Sequence, residues 1–196
     1  AGGSSGTSSW GTAIVTAAEE FGKRFGSDPV EGAEVCAEAG ENRELEHFRA
    51  QSFGAHFAEV HVDSDTGEIR VPRMFGMFSV GRVINPRTAR SQFIGGMSFG
   101  ISMALFEESI RDPRFGHVLN HDLAEYHVPT HADIRNVEAD WLDDEDEHAT
   151  PMGSRGIGEI GIVGSAAAVA NAVWHATGVR IRDLPIRLDD LLPGLP

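Results

Sequence analysis

Cysteine is nearly absent. Cys36 is the single one in 196 residues, which excludes an internal disulfide and a metal site built only from thiolates. It reads as a small buried or half-buried residue. Basic residues are also scarce, 16 Lys and Arg against 30 Asp and Glu, for a net charge of −14. That balance argues against nucleic acid or an anionic membrane as a partner. No apolar run approaches the roughly 18–20 residues that span a bilayer. The opening residues 1–7 have neither the basic start nor the apolar core of a signal peptide. An initiator Met is missing, so the expectation is a piece of a longer protein. A length of 196 with 41% hydrophobic residues gives one domain, or two small intertwined lobes, over 1–196.

What the chain has in excess is glycine, 23 residues. The densest stretch is Gly153-Ser154-Arg155-Gly156-Ile157-Gly158-Glu159-Ile160-Gly161, which holds one carboxylate and opens into a small-residue helix, Ile162 to Thr177. Glycine permits positive φ and close backbone approach, and a helix N-terminus presents free N–H groups. Upstream, Trp10 to Phe25 has helical periodicity, with Trp10, Ile14, Ala17, Ala18, Phe21 and Phe25 on one face. Phe53 to Asp63 and Glu68 to Val80 read as a hairpin around Ser64-Asp65-Thr66-Gly67, with Phe57, Val60 and Val62 as the apolar side. Asn85-Pro86 starts a helix reaching about Ser109. Asp122 to Val128, Ile134 to Leu142 and Leu184 to Ile186 read as strands, and Leu188 to Leu192 as a turn. The mixture lacks strict βαβ alternation and predicts an α+β fold, with mixed or antiparallel sheets and packed helices.

Several short motifs lose to their surroundings. Gly156 to Gly161 matches G-x-G-x-x-G, but no buried strand precedes it, and Glu159 would stand beside a pyrophosphate. Gly2 to Gly6 and Gly96 to Gly100 match G-x-S-x-G without the strand–turn–helix that a nucleophile elbow needs. Asp63 to Gly67 resembles an EF-hand start, yet the twelfth position is Met74. His117, His121, His127 and His131 lack a shared helical face for zinc. Glu159 is different: a surface Glu needs no surrounding glycines, and a buried one needs a partner or a task. Either an ion pair with Arg155 or catalysis accounts for it.

Six segments, in order, resemble the C-terminal part of the molybdenum-cofactor-binding subunit of the xanthine dehydrogenase/aldehyde oxidase family. They are Gly2 to Thr7, Phe57 to Asp63 with Thr66-Gly67-Glu68, and Val80 to Pro86. Gln92 to Gly96, Leu123 to Thr130 and Arg155 to Glu159 follow. The resemblance covers essentially the whole chain and implies the α+β fold of that molybdopterin-binding domain. It also implies oxidative hydroxylation of an aldehyde or N-heterocycle with oxygen from water. By the same resemblance, Glu159 is the catalytic base, a role that suits a carboxylate able to reach the activated oxygen. Gly3, Ser4, Ser5, Gly6 and Thr7 line the pterin, Gly95 and Gly96 let a helix approach it, and Arg155, Gly156, Ile157 and Gly158 position the base. Ser98 stands where members often carry a Gln that bonds a metal-held oxygen, and Ser79 where Asp is usual.

No side chain need ligate the metal, because the pterin dithiolene does. The implied cofactor is molybdenum-molybdopterin, in its cytosine dinucleotide form if the chain is bacterial. Iron–sulfur clusters and FAD are expected on partner subunits or modules. Other expected partners are the upstream remainder of the subunit and a small aldehyde or heterocycle. Cytoplasmic placement is expected, with the periplasm left open, and the fragment by itself is expected to be inactive. Two readings stay open beside this one: a non-catalytic interaction domain with the same fold, and an NAD(P)-binding oxidoreductase domain.

Overall fold

Three strands and five α-helices organise the chain in a computed structural model that describes residues 2–196. In order they are α1 (Gly6–Phe25), β1 (Phe53–Val62), β2 (Ile69–Ser79), α2 (Pro86–Leu105), β3 (Ile134–Trp141), α3 (Ile160–Val163), α4 (Ser165–Thr177) and α5 (Leu188–Leu191). The fold is α+β. The sheet order is β1-β2-β3. The Leu142 N–H donates to the Phe78 carbonyl at 2.8 Å, joining the C-terminal ends of β2 and β3. Those two strands therefore run the same way, beside an antiparallel hairpin, and the sheet is mixed.

The chain divides into two compact units. Unit 1 holds the chain up to Phe53 with Phe78–Ala89 and Trp141–Gly158; unit 2 holds Gly54–Met77, Arg90–Asp140 and Glu159–Pro196. Gly158 and Glu159 are thus consecutive in the chain but assigned to different units.

In unit 2 the hairpin turn is fixed by Asp63. Its Oδ1 accepts from the N–H of Asp65 at 3.0 Å, the N–H of Thr66 at 2.8 Å and the Thr66 hydroxyl at 2.9 Å. These bonds hold the exposed Asp63 carboxyl below the ordinary carboxylate range. Along β1, burial falls on His56, Ala58, Val60 and Val62. Phe57, expected on the apolar side, faces the other way, 59% exposed and 6.3 Å from the Phe75 ring. Strict period two from Val62 decides the register.

Helix α2 begins as expected: the Asn85 side chain accepts from the N–H groups of Arg87 and Thr88, with Pro86 in the first turn. Its buried stripe in unit 2 is Phe93, Met97, Ile101 and Ala104, at the spacing one helix face requires. Burying a side chain of the Phe, Met or Ile class stabilises by about 1.5–3 kcal/mol. The helix ends at Leu105 rather than Ser109.

Other expectations are corrected. Asp122 to Val128 is no strand; the Asp122 Oδ1 accepts from the N–H groups of Ala124 and Glu125, which closes a turn. Leu184 to Ile186 is irregular, with a cis Leu184–Pro185 bond. Ile160–Thr177 is long and apolar enough to cross a membrane by length and composition, contrary to the expected lack of such a run. Its buried residues Gly161, Ser165, Ala166, Val169 and Val173 mark a packing face. In unit 1, Cys36 is exposed. Helix α1 starts at Gly6, four residues before its predicted start, and buries no residue: Trp10 is 78% and Ile14 66% exposed. Its amphipathic face is therefore real in sequence but only partly covered: Phe21 and Phe25 are half-buried, and Met152 lies against Gly11.

Candidate functional site

The glycine-rich loop is tied down along its length inside unit 1. Gly81 and Ser154 form an antiparallel bridge. Beside it, the Arg82 N–H donates to the Gly153 carbonyl at 2.7 Å and the Arg155 N–H to the Val80 carbonyl at 2.8 Å. A Cβ on Gly81, which has φ 67°, would sit 2.2 Å from the Gly153 oxygen, so only glycine fits there. Further along, the Ser52 hydroxyl donates to the Gly156 carbonyl at 2.6 Å. The Gly158 N–H donates to Ser4 Oγ at 2.9 Å. Ser4 holds φ 56°, a left-handed conformation that costs a non-glycine residue about 1–2 kcal/mol.

Arg155 anchors the loop from below. Its side chain is 9% exposed, and its guanidinium donates to Asp144 Oδ2 at 2.6 Å, Ser79 Oγ at 2.7 Å and the Gln51 carbonyl at 2.6 Å. Ser79 in turn donates to the same Asp144 oxygen at 2.6 Å. The Arg155 Nε lies 3.5 Å from Asp146 Oδ2, and the Phe53 ring lies 5.8 Å from the guanidinium carbon. Serine at position 79 thus relays to a carboxylate contributed by Asp144. The guanidinium serves these groups, so the ion pair with Glu159 that the sequence left open is not its use. Arg155→Ala removes the charged partner of the Asp144 carboxylate and leaves it the Ser79 hydroxyl. With Asp144 still 31% exposed, the expected loss is about 2–3 kcal/mol, at the lower edge for a broken buried pair. Chemical denaturation of the protein measures it; an unchanged midpoint would remove Arg155 from this role.

The segment paired with that loop carries the other predicted unit 1 residues. Gly3 and Ser4 lie in a short 3-10 turn, Gly2–Ser4, and Gly6 opens α1. The Ser5 hydroxyl donates to the Gly2 carbonyl at 2.9 Å. Thr7 is exposed in the first turn. Ser5, at the N-cap of α1, makes no side-chain capping bond, and no acidic residue lies in the first turn, so the terminal amides suit an anion.

In unit 2, Glu159 is exposed at the N-terminus of α3, and its side chain makes no capping bond. No hydrogen bond or ion pair to its carboxylate is found among the described residues. The backbone that carries it is held firmly. A Cβ on Gly161 would lie 2.7 Å from the Phe93 carbonyl oxygen, and one on Gly96 2.9 Å from the Gly161 backbone. A Cβ on Gly100 would run into Ser165. Gly96 and Gly100 on α2 are four apart, as are Gly161 in α3 and Ser165 at the start of α4; Gly96 meets the Gly161 backbone and Gly100 the Ser165 side chain. Gly95, the other glycine of the expected pair, has open space where its Cβ would be. The Ser98 hydroxyl donates to the Ile94 carbonyl at 2.9 Å, and Ser98 lines a cavity of about 500 Å³ with Phe99, Ser102 and His131.

Sequence reasoning passed over His56. From β1, its Nε2 lies 3.1 Å from the Gly161 carbonyl oxygen. A Cβ at Gly164, where the helix breaks between α3 and α4, would sit 2.3 Å from its Nδ1. Burial holds the imidazole below its ordinary pKa, against an upward pull from bonds to the Gly161 and Ile160 backbone. The signal was available in part: period two, carried back strictly from Val62, reaches His56. The partner, 105 residues away, was not. Asp144 and Ser52 were missed for the same reason.

Residues 28–135 match the molybdopterin cofactor-binding domain family. The aldehyde oxidoreductase molybdenum-binding subunit PaoC of Escherichia coli is 52% identical over 149 residues, 76% of this chain and 20% of that protein. The xanthine dehydrogenase molybdenum-binding subunit of Escherichia coli is 37% identical over 135 residues, 69% of this chain and 18% of that protein. Among solved structures, quinoline 2-oxidoreductase from Pseudomonas putida superposes with a TM-score of 0.67 at 30% identity, over 72% of this chain and 18% of its own. The chain therefore spans about a fifth of the length of these relatives.

Proposed function

This chain belongs to the molybdopterin cofactor-binding domain family, as a molybdenum-binding domain of a molybdenum hydroxylase, and from that premise we propose that it supplies the catalytic base, Glu159, and part of the pterin site. The reaction is oxidative hydroxylation of an aldehyde or N-heterocycle carbon: C–H and water become C–OH, with two electrons and two protons released. When bound, the cofactor supplies the redox centre that accepts those electrons.

The observation that carries the reading is a carboxylate with no hydrogen bond or ion pair among the described residues, exposed at the N-terminus of α3, on backbone that glycine packing holds in place. Glu159 takes a proton at a carboxylate oxygen from the water-derived nucleophile and can return it to solvent. Gly158 and Ser4 fix the loop before it. The uncapped first turn of α1, with no carboxylate in it, suits the anionic groups of the cofactor, and the open space at Gly95 leaves room for its approach. The residues present therefore fit the group within each unit taken by itself: Gly3, Ser4, Ser5, Gly6 and Thr7 in unit 1, and Gly95 with Ser98 in unit 2.

The electrons leave through iron–sulfur and FAD partners, and the remainder of the large subunit completes the enclosure. In a bacterial source the cofactor is the cytosine dinucleotide form. Metal analysis of the full-length protein is expected to give close to one molybdenum per chain, with sulfur-to-molybdenum charge-transfer absorption. A well-folded full-length protein that binds none under molybdate-replete expression overturns the assignment.

A further inference from the structure

We propose that His56 is a positioning residue for the turn that carries Glu159. The inference rests on the reading of Glu159 as base, and it concerns unit 2 alone. A carbonyl oxygen can only accept, so the 3.1 Å contact between the His56 Nε2 and the Gly161 oxygen places a proton on Nε2. Gly161 lies two residues beyond Glu159. The same carbonyl also accepts from the Ser165 hydroxyl at 2.7 Å, so two side chains serve one backbone oxygen.

That arrangement has a local cause. Gly164 interrupts the helix: its N–H turns back to the Ile162 carbonyl, and Ser165 starts α4. Ser bonding to the carbonyl four residues earlier bends helices. The carbonyl at such a bend tilts away from the helix axis and is open to an outside donor as well. His56 is that donor, and its ring occupies the space that only a residue without a Cβ at 164 leaves free, 2.3 Å from where that atom would be. Gly164 and His56 therefore form a matched pair. The bend is set from the edge strand β1, and Glu159 sits on the short N-terminal arm of it. Gly161 also rests on the Phe93 carbonyl and Gly96. The arm is thus held from both β1 and α2.

The test uses the full-length subunit in its assembled, cofactor-loaded enzyme. His56→Phe keeps a ring and removes the donor. His56→Gln places an amide nitrogen near the Nε2 position, whereas His56→Asn places it near Nδ1. His56→Phe and His56→Asn are expected to lower kcat about tenfold at unchanged KM and molybdenum content, the scale of a sub-ångström misplacement of a catalytic group. Deuterium uptake of the peptide spanning residues 157–166 rises in both, and His56→Gln returns uptake and kcat toward wild type. Wild-type uptake in His56→Phe, or equal behaviour of the Gln and Asn variants, overturns the proposal. If His56→Phe does not accumulate, the Gln and Asn pair decides. Glu159→Gln is run alongside. Should that variant keep full turnover, the base assignment fails while the exchange data still report on His56. If it is inactive and the His56 variants have wild-type kcat and uptake, only the positioning role fails.

Discussion

Glu159→Gln in the full-length, cofactor-loaded subunit lowers kcat by about 10²–10⁴-fold, the usual contribution of a positioned general base. That range corresponds to about 2.7–5.4 kcal/mol of transition-state stabilisation. The amide preserves the size and planarity of the side chain but cannot accept the proton. Since Glu159 makes no hydrogen bond or ion pair among the described residues, and its side chain does not cap α3, the change removes no structural contact seen here. Stability and molybdenum content therefore stay at wild-type level. A glutamate with a structural role would give the opposite pattern, a lower melting temperature with turnover largely kept. Retained turnover in a fully loaded Glu159→Gln enzyme ends the assignment.

The second large effect comes from a methyl group. Gly161→Ala places a Cβ 2.7 Å from the Phe93 carbonyl oxygen, and Gly96→Ala places one 2.9 Å from the Gly161 backbone. Neither obstacle is the tip of a flexible side chain, so α2 and α3 must separate. Overpacking of this kind costs about 1–3 kcal/mol. The separation also displaces Glu159, two residues from the contact. A shift near 1 Å there is expected to reduce kcat up to about 10²-fold with the base chemically intact. Gly95→Ala is the control. Its Cβ meets nothing within 4 Å, so stability is kept. If the holding role proposed for Gly95 is right, the methyl group instead reduces cofactor content. Thermal melts, metal analysis and kcat on the three variants separate packing from cofactor approach. Equal behaviour of Gly95→Ala and Gly96→Ala would show that the two glycines do not divide these tasks.

Much of the secondary structure was legible because it is written in local patterns. Asn85-Pro86 announces a helix start, Asp63 to Gly67 a turn, and the small-residue run after Gly161 a helix. The misreadings have local causes too. Helical periodicity shows only from Trp10 onward, yet Gly6 to Ser9 form the first turn of α1. Asp122 diverts the backbone into an Asx turn before a strand can form. Phe57 was assigned by hydrophobicity, whereas the pleat assigns faces by parity.

The sequence by itself determined which chemistry is available: one carboxylate within a run of glycines, hydroxyl-rich residues near the start, and a family likeness spread over six segments. These are properties of residue type and order, and they survive without coordinates. Tertiary structure alone decided how the residues are used. Arg155 goes to Asp144 and Ser79. Gly96 serves Gly161 while Gly95 stays open, and His56 reaches the Gly161 carbonyl across 105 residues. Such partners are set by packing at separations where the chain retains no memory of spacing. The freedom of Glu159 is likewise a tertiary fact, because whether a side chain has a partner depends on what the fold brings beside it.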